Sequence, residues 1–470
     1  MLRRLDRHTV ILLVLAATVL AFAMQQSMVV PALPTLRRDL HASTEWSTWV
    51  LTSFLLAVAV TTPIVGRLGD QLGQARVLKA ALLVFMLGSI GAACAWDIWS
   101  LIAFRALQGC GGAVIPLCFS IVKAHFPPRR TAVALATVSG LGGGGGAIGI
   151  MLSGVVIDHG SWRLLFAIGA AALACAIVLV HRLGLEPAPV QRTPLDLVGA
   201  LLLAGALLAL LVAITEGNGW GWGGGRVVGL FVAAAVLAVA WARVELRSAA
   251  PMVDVRMLVH RPVLVTNVTT FVLGYALFGV WFLVPQFVQT PRGVPAVDVP
   301  LLGYGLHATV TESGLYVVST SLALVTLAPL AGLFAKRHGG RRPLAAGMLV
   351  LALSAGALAA WHANGLQIVL GMLGLGIGIA FAFGSIPSLI NDAVRPGELG
   401  VANGMNLVMR TIGGVVGAQV GAALLTSRTV GSDRVPAESA YVWAFAACGV
   451  AALVGAAFCA LWSPRRLVPA

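Results

Sequence analysis

The chain has 470 residues, of which 59% are hydrophobic and only 10% are charged, with a formal net charge of +14. A soluble domain carries about 25% charged residues, so this composition excludes a water-soluble globular protein of this length. The positive charges lie in short segments between apolar runs, a pattern of membrane orientation and not of a nucleic-acid-binding surface, so we expect no nucleic-acid partner.

Long apolar runs follow one another along nearly the whole sequence. A transmembrane helix needs about 20 mostly apolar residues. The runs that meet this length lie, in chain order, near residues 9–32, 47–66, 77–96, 98–123, 131–157, 162–181, 195–216, 224–246, 262–288, 311–334, 343–361, 366–389, 400–426 and 440–462. They predict an all-α membrane protein with about 14 transmembrane helices, too long and too rich in Ala, Leu and Gly for barrel strands.

Lysine and arginine are distributed unequally between the segments that join these runs. With the N-terminus inside, the inner segments hold 22 of them and the outer segments hold 7. The positive-inside rule then places both termini in the cytoplasm. Most tryptophans fall near the predicted outer ends, where indole rings favour the headgroup level of a bilayer. We therefore predict a multi-pass protein of the cytoplasmic (inner) membrane, surrounded by lipid.

The segment that joins the second and third runs is repeated eight helices later. Residues 66–78 and 332–344 align without a gap and match at Gly66/Gly332, Gly73/Gly339, Arg76/Arg342 and Leu78/Leu344. A repeat of this length indicates two duplicated helical halves, with the substrate site between them near the middle of the bilayer. We predict an N-terminal six-helix bundle (1–190), an inserted two-helix hairpin (191–250) and a C-terminal six-helix bundle (251–470).

Polar side chains within the apolar runs are candidates for a solute-binding site. Arg105 lies about 10 Å into the fourth run at about 1.5 Å per residue, and a charged side chain at that depth is expected to face the interior of the bundle. The remaining candidates combine neutral polar, aromatic and basic groups, as a mostly apolar pocket requires; they are Gln25, Gln26, Gln108, Asn267, Trp281, Asn406 and Arg410. For each neutral polar residue, hydrogen bonding between helices is an open alternative.

Proton coupling requires a titratable group whose access to water changes. The acidic residues fall near predicted helix ends, and the candidates are Glu216, Glu312 and Asp392. The sequence carries no phosphate-binding loop, no metal-ligand spacing and no recognisable catalytic constellation. We therefore expect no enzyme activity, no metal and no cofactor, with a proton gradient as the energy source.

The residues resemble the major facilitator superfamily, specifically its family of fourteen-span drug:proton antiporters. Gly66, Asp70, Gly73 and Arg76 match the superfamily signature Gly-x-x-x-Asp-basic-x-Gly-basic-basic. In the family this loop stabilises the outward-facing state. The stretch that begins at Arg105 is similar to the span-four motif, whose arginine takes part in proton transfer. The resemblance implies that these five residues act in gating or proton coupling.

Two stretches depart from the family pattern. Residues 145–154 align with the antiporter signature of span five, but Ile150 replaces the expected proline and Ser153 replaces a glycine. The glycines that permit close helix packing remain, at Gly145, Gly149 and Gly154. At the end of span one, Gln25 occupies a position where an acidic residue is common in the family, and glutamine does not titrate.

The resemblance implies a monomeric secondary active transporter that exports a small lipophilic drug or metabolite by proton antiport and alternating access. The departures at Ile150 and Gln25 leave a proton-independent facilitator or importer as an alternative. A second alternative is a membrane sensor or binding protein that does not transport. Arg105 and Arg410 favour neutral or anionic solutes, whereas the family favours lipophilic cations, so the sequence leaves the charge of the solute open.

Overall fold

The computed structural model describes residues 6–42, 44–185, 196–248, 253–290, 303–395, 398–430 and 435–461. Within them, 14 helical segments are long and apolar enough to cross a membrane. Every apolar run in the sequence corresponds to one of these segments, so the predicted all-α class and the number of spans are confirmed.

The helices follow in chain order. The first six spans comprise α1 (Arg7–Ser27), α2 (Val29–Asp39), α3 (Thr44–Leu72), α4 (Gln74–Ala93), α5 (Ile98–Cys110), α6 (Val114–His125), α7 (Pro128–His159) and α8 (Arg163–Arg182). The next two spans are α9 (Leu197–Trp220) and α10 (Gly225–Arg247), followed by the short α11 (Val255–Val259). The last six are α12 (Arg261–Gln289), α13 (Val310–His338), α14 (Arg341–Ala360), α15 (Gly365–Ala393), α16 (Leu399–Ser427) and α17 (Glu438–Leu461).

Three names for parts of the chain are used below. The N-terminal half is α1–α8, the inserted hairpin is α9–α10 and the C-terminal half is α12–α17. A two-residue antiparallel ladder, β1 (Thr429–Val430) with β2 (Val435–Pro436), precedes α17. The domain boundaries predicted at 190/191 and 250/251 fall outside the described residues and stay predictions.

Two of the predicted runs are broken helices. The run near 9–32 divides at Met28 between α1 and α2, and the run near 98–123 divides between α5 and α6. At the second break, Pro116 lacks the amide hydrogen that would bond to the carbonyl of Gly112. A side-chain carbon on Gly111 would lie 2.9 Å from the Cβ atom of Phe85, so the break allows close packing on α4.

The spans alternate in direction, as contacts between helix ends show. We name the end of the bundle where α1 begins the inner side. There Arg130, at the start of α7, donates a hydrogen bond to Asp6 at 2.5 Å. At the opposite, outer side, Arg163 donates to the carbonyl of Ala95 at 3.0 Å. The assignment of the inner side to the cytoplasm stays a prediction, and the C-terminal residues 462–470 lie outside the described residues.

The apolar core is divided between the two halves. Two clusters of buried side chains lie within the N-terminal half, and a larger one joins the C-terminal half to the inserted hairpin and to part of α3. On α10, Val228, Val232, Val236 and Val239 are exposed at helical spacing. This stripe faces lipid, so the hairpin lies at the edge of the bundle and the interface between the halves lies at its centre.

Candidate gating and substrate site

The two halves meet at the inner side through the carboxylate of Asp70. The backbone N–H of Gly400 donates to its two oxygens, at 3.2 and 3.3 Å. Gly400 lies in the first turn of α16, where backbone N–H groups lack partners within the helix and carry partial positive charge. Asp70, near the end of α3 in the N-terminal half, therefore caps a helix of the C-terminal half.

Gly66 and Gly400 allow this contact by bringing two backbones together. A side-chain carbon on Gly66 would lie 2.7 Å from the carbonyl oxygen of Gly400, and one on Gly400 would lie 2.6 Å from that of Gly66. Backbone atoms cannot move away as the end of a side chain can. Glycine at both positions is therefore required for α3 to cross α16 this closely.

Lys123 makes a second inner contact between the halves. Its Nζ atom lies at the end of α6, donates to the carbonyl of Asn391 at 3.3 Å and is 3.9 Å from the carboxylate of Asp392. The carbonyls at the C-terminus of α15 carry partial negative charge, which favours a cation there. Asp392 is exposed, so its ion pair contributes little. Lys123 and Asp70 thus hold the two helix ends that flank the α15–α16 connection.

The second copy of the repeat makes a reciprocal contact. A side-chain carbon on Gly332 would lie 2.8 Å from the carbonyl oxygen of Ala132 and 3.0 Å from the Cα atom of Val133. Hence α13 approaches α7 as closely as α3 approaches α16. Lys336 occupies the position of Asp70 in the repeat. In this aligned pair of positions, only the N-terminal copy supplies a carboxylate.

The other two residues of the loop signature lie at the start of α4. Gly73 has a φ of 95°, and its repeat partner Gly339 has a φ of 75°. Both angles lie in the left-handed region that favours glycine, which explains why these two positions match. Arg76 lies in the first turn of α4 and is exposed at the inner side.

Arg105 is fully buried within the N-terminal half. Its guanidinium donates to the carbonyl of Val50 at 3.1 Å and to the amide oxygen of Gln108 at 2.6 Å, and it lies 4.3 Å from the ring centre of Phe54. Gln108 in turn donates to the hydroxyl of Ser89 at 2.7 Å. The network joins α3, α4 and α5. Among the described side chains, dipoles and an aromatic face stabilise this charge, and no carboxylate pairs with it.

The two glutamines of α1 face different neighbours. Gln25 is 1% exposed and packs against Gly169 of α8, where a side-chain carbon would overlap the amide. Neither atom of that amide has a hydrogen-bond partner among the described residues. Gln26 is half-buried and follows Val19 and Phe22 along one face of the helix. Gln25 thus lies inside the N-terminal half, between α1 and α8.

The glycine-rich helix α7 packs against α1 on one face. A side-chain carbon on Gly145 would lie 2.9 Å from the Cβ atom of Ala23, and one on Gly149 would lie 2.6 Å from the hydroxyl of Ser27. Ser27 also donates to the carbonyl of Gly146 at 2.5 Å. These glycines set the distance between the two helices.

The opposite face of α7 meets α13 of the C-terminal half. Towards the outer side, a side-chain carbon on Gly154 would lie 3.4 Å from the hydroxyl of Thr311, which is an ordinary contact. A side-chain carbon on Gly314 would lie 3.5 Å from the Cγ2 atom of Ile150, the residue in the position of the family's proline. Helix α7 therefore forms a wall between the halves along most of its length.

Asn267 and Asn406 are both buried and bond to each other. The amide nitrogen of Asn406 donates to Asn267 Oδ1 and to Thr270 Oγ1, each at 2.9 Å. These contacts join α12 and α16 within the C-terminal half. The structure therefore places this pair of predicted substrate residues in an interhelical hydrogen-bond network.

Arg410 lies near the middle of α16 and faces the centre of the molecule. Its guanidinium carbon is 4.9 Å from the ring centre of Phe383 on α15. A side-chain carbon on Gly143 of α7 would lie 2.8 Å from that ring. Phe383 therefore lies between Arg410 and the N-terminal half. Among the described residues, the guanidinium has no carboxylate and no hydrogen-bond acceptor as a partner.

Trp281 of α12 approaches α7 about one helical turn nearer to the outer side than Phe383 does. A side-chain carbon on Gly146 would lie 3.6 Å from the tip of its ring, and the ring of Phe278 is 5.9 Å away. The indole N–H is buried and has no hydrogen-bond partner among the described residues. We name Arg410, Phe383 and Trp281 the central site.

The acidic candidates lie away from this site. Glu216 is buried near the outer end of α9. Glu312 accepts a hydrogen bond from the backbone N–H of Thr309 at 2.7 Å and forms the capping box of α13. Asp392 is at the inner surface. The arrangement therefore offers carboxylates at the two faces of the membrane and cations in the middle.

Sequence analysis missed Lys123 and Gly400 of the contacts between the halves and Phe383 of the central site. Their partners are far along the chain, since Lys123 bonds 268 residues away and Gly400 bonds 330 residues away. Phe383 is one apolar residue among many in α15. The only local signal was the position of Lys123 in the last turn of α6, which predicts capping of its own helix.

Comparisons with known proteins agree with this architecture. The family model described as Major Facilitator Superfamily matches residues 15–305 and 292–470. The tetracenomycin C resistance and export protein of Streptomyces glaucescens is 30% identical over 427 residues, which are 89% of this chain and 76% of that protein. A multidrug resistance protein B homolog of Mycobacterium tuberculosis is 28% identical over 392 residues, 80% of this chain and 69% of that protein.

A solved structure shows the same fold at low sequence identity. The human organic anion transporter MFSD10 (TETRAN) superposes with a TM-score of 0.69, over 97% of this chain and 100% of that chain. Its sequence identity is 15%, so this likeness concerns the fold alone.

Proposed function

Because this chain belongs to the major facilitator superfamily, we propose that it is a secondary active transporter that exports a small drug or metabolite. The observation that carries the proposal is the central site, where Arg410 and Phe383 of one half face the glycine wall of the other. A polar group beside aromatic rings at an interface between bundles suits a small, largely apolar solute. The names of the two relatives, one an export and one a multidrug resistance protein, support the direction.

Transport proceeds by alternating access in this proposal. The inner side is held by helix caps that cross the interface, Asp70 on α16 and Lys123 on α15. These caps lie between the halves, so in this proposal their release lets the two halves separate at the inner side. Separation opens the central site to the inner side, and closure returns it to the outer side.

Proton antiport is the proposed energy source. Protonation of Asp70 removes the charge that caps α16 and so weakens the inner contact. Antiport then requires that Asp70 receive its proton from the outer side while the inner contact is closed, and release it to the inner side once the contact has opened. Arg105 contributes by fixing the packing of α3, α4 and α5 around it.

Uptake into everted membrane vesicles tests this function. Vesicles that contain the full-length chain are supplied with tetracenomycin C, the compound that appears in the name of the Streptomyces relative. A parallel sample is supplied with ethidium. We expect uptake that requires an acid-inside gradient and that dissipates this gradient, as a pH-sensitive dye reports. Asp70→Asn is expected to lose uptake, whereas Asp254→Asn, which removes a cap within one segment (2.8 Å to the N–H of Arg256), is the matched control.

A proton-independent facilitator is the second candidate, because Ile150 and Gln25 replace groups that the antiporters use. Uptake that equilibrates without a pH gradient would support the facilitator and contradict antiport. Binding of a solute without any uptake would contradict transport altogether and favour a sensor.

The proposed setting is the cytoplasmic membrane, with both termini inside and the chain acting as a monomer. Reporter fusions after His125 and after Trp220, at opposite sides of the bundle, test the orientation. Activity of a cytoplasmic reporter at the second position only would reverse it.

A further inference from the structure

The middle of the molecule carries positive charge without described negative charge. Among the acidic side chains that the structure describes, those within the spans lie near helix ends, as at Asp70 and Glu245 on the inner side and Glu216 and Glu312 on the outer side. Arg410, by contrast, lies near the middle of its helix. A solute at the interface between the halves therefore meets a positive potential.

Arg105 does not serve as the receptor of that solute. Its Nε atom and one terminal nitrogen donate to Val50 and Gln108, its face is covered by Phe54, and its other terminal nitrogen is buried without a described partner inside the N-terminal half, away from the interface. Its charge adds to the potential at the centre, but the surrounding side chains close it off. The arginine that faces the interface is Arg410.

The guanidinium of Arg410 contacts an aromatic ring and makes no hydrogen bond to a described residue. It lies over Phe383, and its five N–H donors have no acceptor among the described residues. The N–H groups at the edge of the guanidinium therefore have no described acceptor. That edge is the part which binds a carboxylate or phosphate in a two-pronged geometry.

Two aromatic rings border the same space. Phe383 reaches Gly143 and Trp281 reaches Gly146, two positions about 4.5 Å apart along α7 at about 1.5 Å per residue. The buried indole N–H of Trp281 is a second donor without a partner among the described residues. The two rings offer apolar surface on the same side of α7 as the donors, which suits the planar part of a solute with a polar end.

We propose that the solute bound here is an aromatic anion, whose carboxylate or other anionic group bonds to Arg410 and whose planar part packs against Phe383 and Trp281. This proposal rests on the proposed transport function and specifies the substrate class of the same site. A lipophilic cation would instead be repelled by the like charge of Arg410, and none of the described carboxylates lies at this depth to offset that repulsion.

Three probes with one ring system test the charge directly: 2-naphthoate, 2-naphthamide and 2-naphthylmethylammonium. Binding to the purified full-length chain in detergent is followed by the rise in melting temperature with probe concentration. We expect naphthoate to bind about tenfold more tightly than naphthamide, a difference of about 1.4 kcal/mol. The ammonium is expected to bind most weakly.

Variants locate the preference. In Arg410→Gln the ratio between naphthoate and naphthamide should fall to about one. Arg410→Lys keeps the charge but loses the planar, forked arrangement of N–H donors. It should therefore weaken the binding of naphthoate and leave the binding of naphthamide unchanged. This variant replaces Arg410→Gln in the test if the glutamine variant does not fold. Arg226→Gln removes another arginine beside an aromatic ring, 5.7 Å from the centre of Trp220 on the hairpin, and should keep the wild-type ratio.

The outcomes separate this proposal from the transport function, because binding is measured without a membrane gradient. Equal affinities for the three probes, tighter binding of the ammonium, no binding of naphthoate, or an unchanged ratio in Arg410→Gln overturns the anion proposal. Export in vesicles with any of these results would leave the transporter function standing. Selective binding of naphthoate without export would contradict the function and keep the anion site.

Discussion

Replacing Asp70 with asparagine removes one negative charge from the N-terminus of α16 and keeps an oxygen that accepts from Gly400. The wild-type carboxylate lies 3.2 and 3.3 Å from that N–H. A hydrogen bond to a charged group contributes about 1.5–3 kcal/mol, and a charge at a helix end contributes up to about 2 kcal/mol when partly buried. Since the amide retains a weaker bond, we expect a loss of about 1.5 kcal/mol.

A loss of this size changes the equilibrium between the inner-closed and inner-open states about tenfold. Spin labels on cysteines that replace Arg129 and Arg395, both exposed at the inner side of opposite halves, report the distance between the halves in a chain whose native cysteines are removed. The longer-distance population should rise about tenfold relative to the shorter in Asp70→Asn.

The control is Asp254→Asn, whose cap of α11 does not cross the interface. It should keep the wild-type distance distribution. An unchanged distribution in Asp70→Asn, or an equal change in both variants, would refute the assignment of Asp70 as the inner latch.

Three further predictions concern packing and pH. Gly66→Ala places a carbon 2.7 Å from a backbone oxygen, so it should lower the melting temperature. In the control, Gly229→Ala, the added carbon meets nothing within 4 Å, so the change should be neutral or stabilising. Equal effects of the two changes on the melting temperature would contradict the close crossing of α3 and α16. Asn267→Leu and Asn406→Leu should each destabilise, with a coupling of about 0.6–1.7 kcal/mol in a double-mutant cycle; strict additivity would exclude the 2.9 Å bond. Ser100, in the first turn of α5, holds the pKa of the Asp97 carboxyl below its usual range. The hydrogen bond from its side chain contributes most, and the one from its backbone N–H contributes second. Because the folded pKa is depressed, this stabilisation is present at neutral pH and is lost as the pH falls through the folded pKa; the difference in melting temperature between wild type and Asp97→Asn should therefore shrink in acid, and a constant difference would argue against the cap.

The sequence predicted the spans because membrane insertion depends on local composition. A run of apolar residues must satisfy its backbone by helical hydrogen bonds, so each run appears as a helical span, although two of the spans are broken into two helices. The repeat at Gly73 and Gly339 was equally visible, because both positions require the same backbone angle. Apolar composition and a left-handed backbone angle are properties of single segments, so they can be predicted without knowing which distant part of the chain lies beside them.

The tertiary structure decided which polar groups face the interface. In the sequence, Asn267 and Asn406 were candidates for substrate binding just as Arg410 was. In the structure the two amides bond to each other, whereas Arg410 lies beside the ring of Phe383. Likewise, the capping of α16 by Asp70 depends on a residue 330 positions away. Helical periodicity gives the face on which a side chain lies, but the neighbour of that face is set by how the fourteen spans pack, which no local stretch of the sequence encodes.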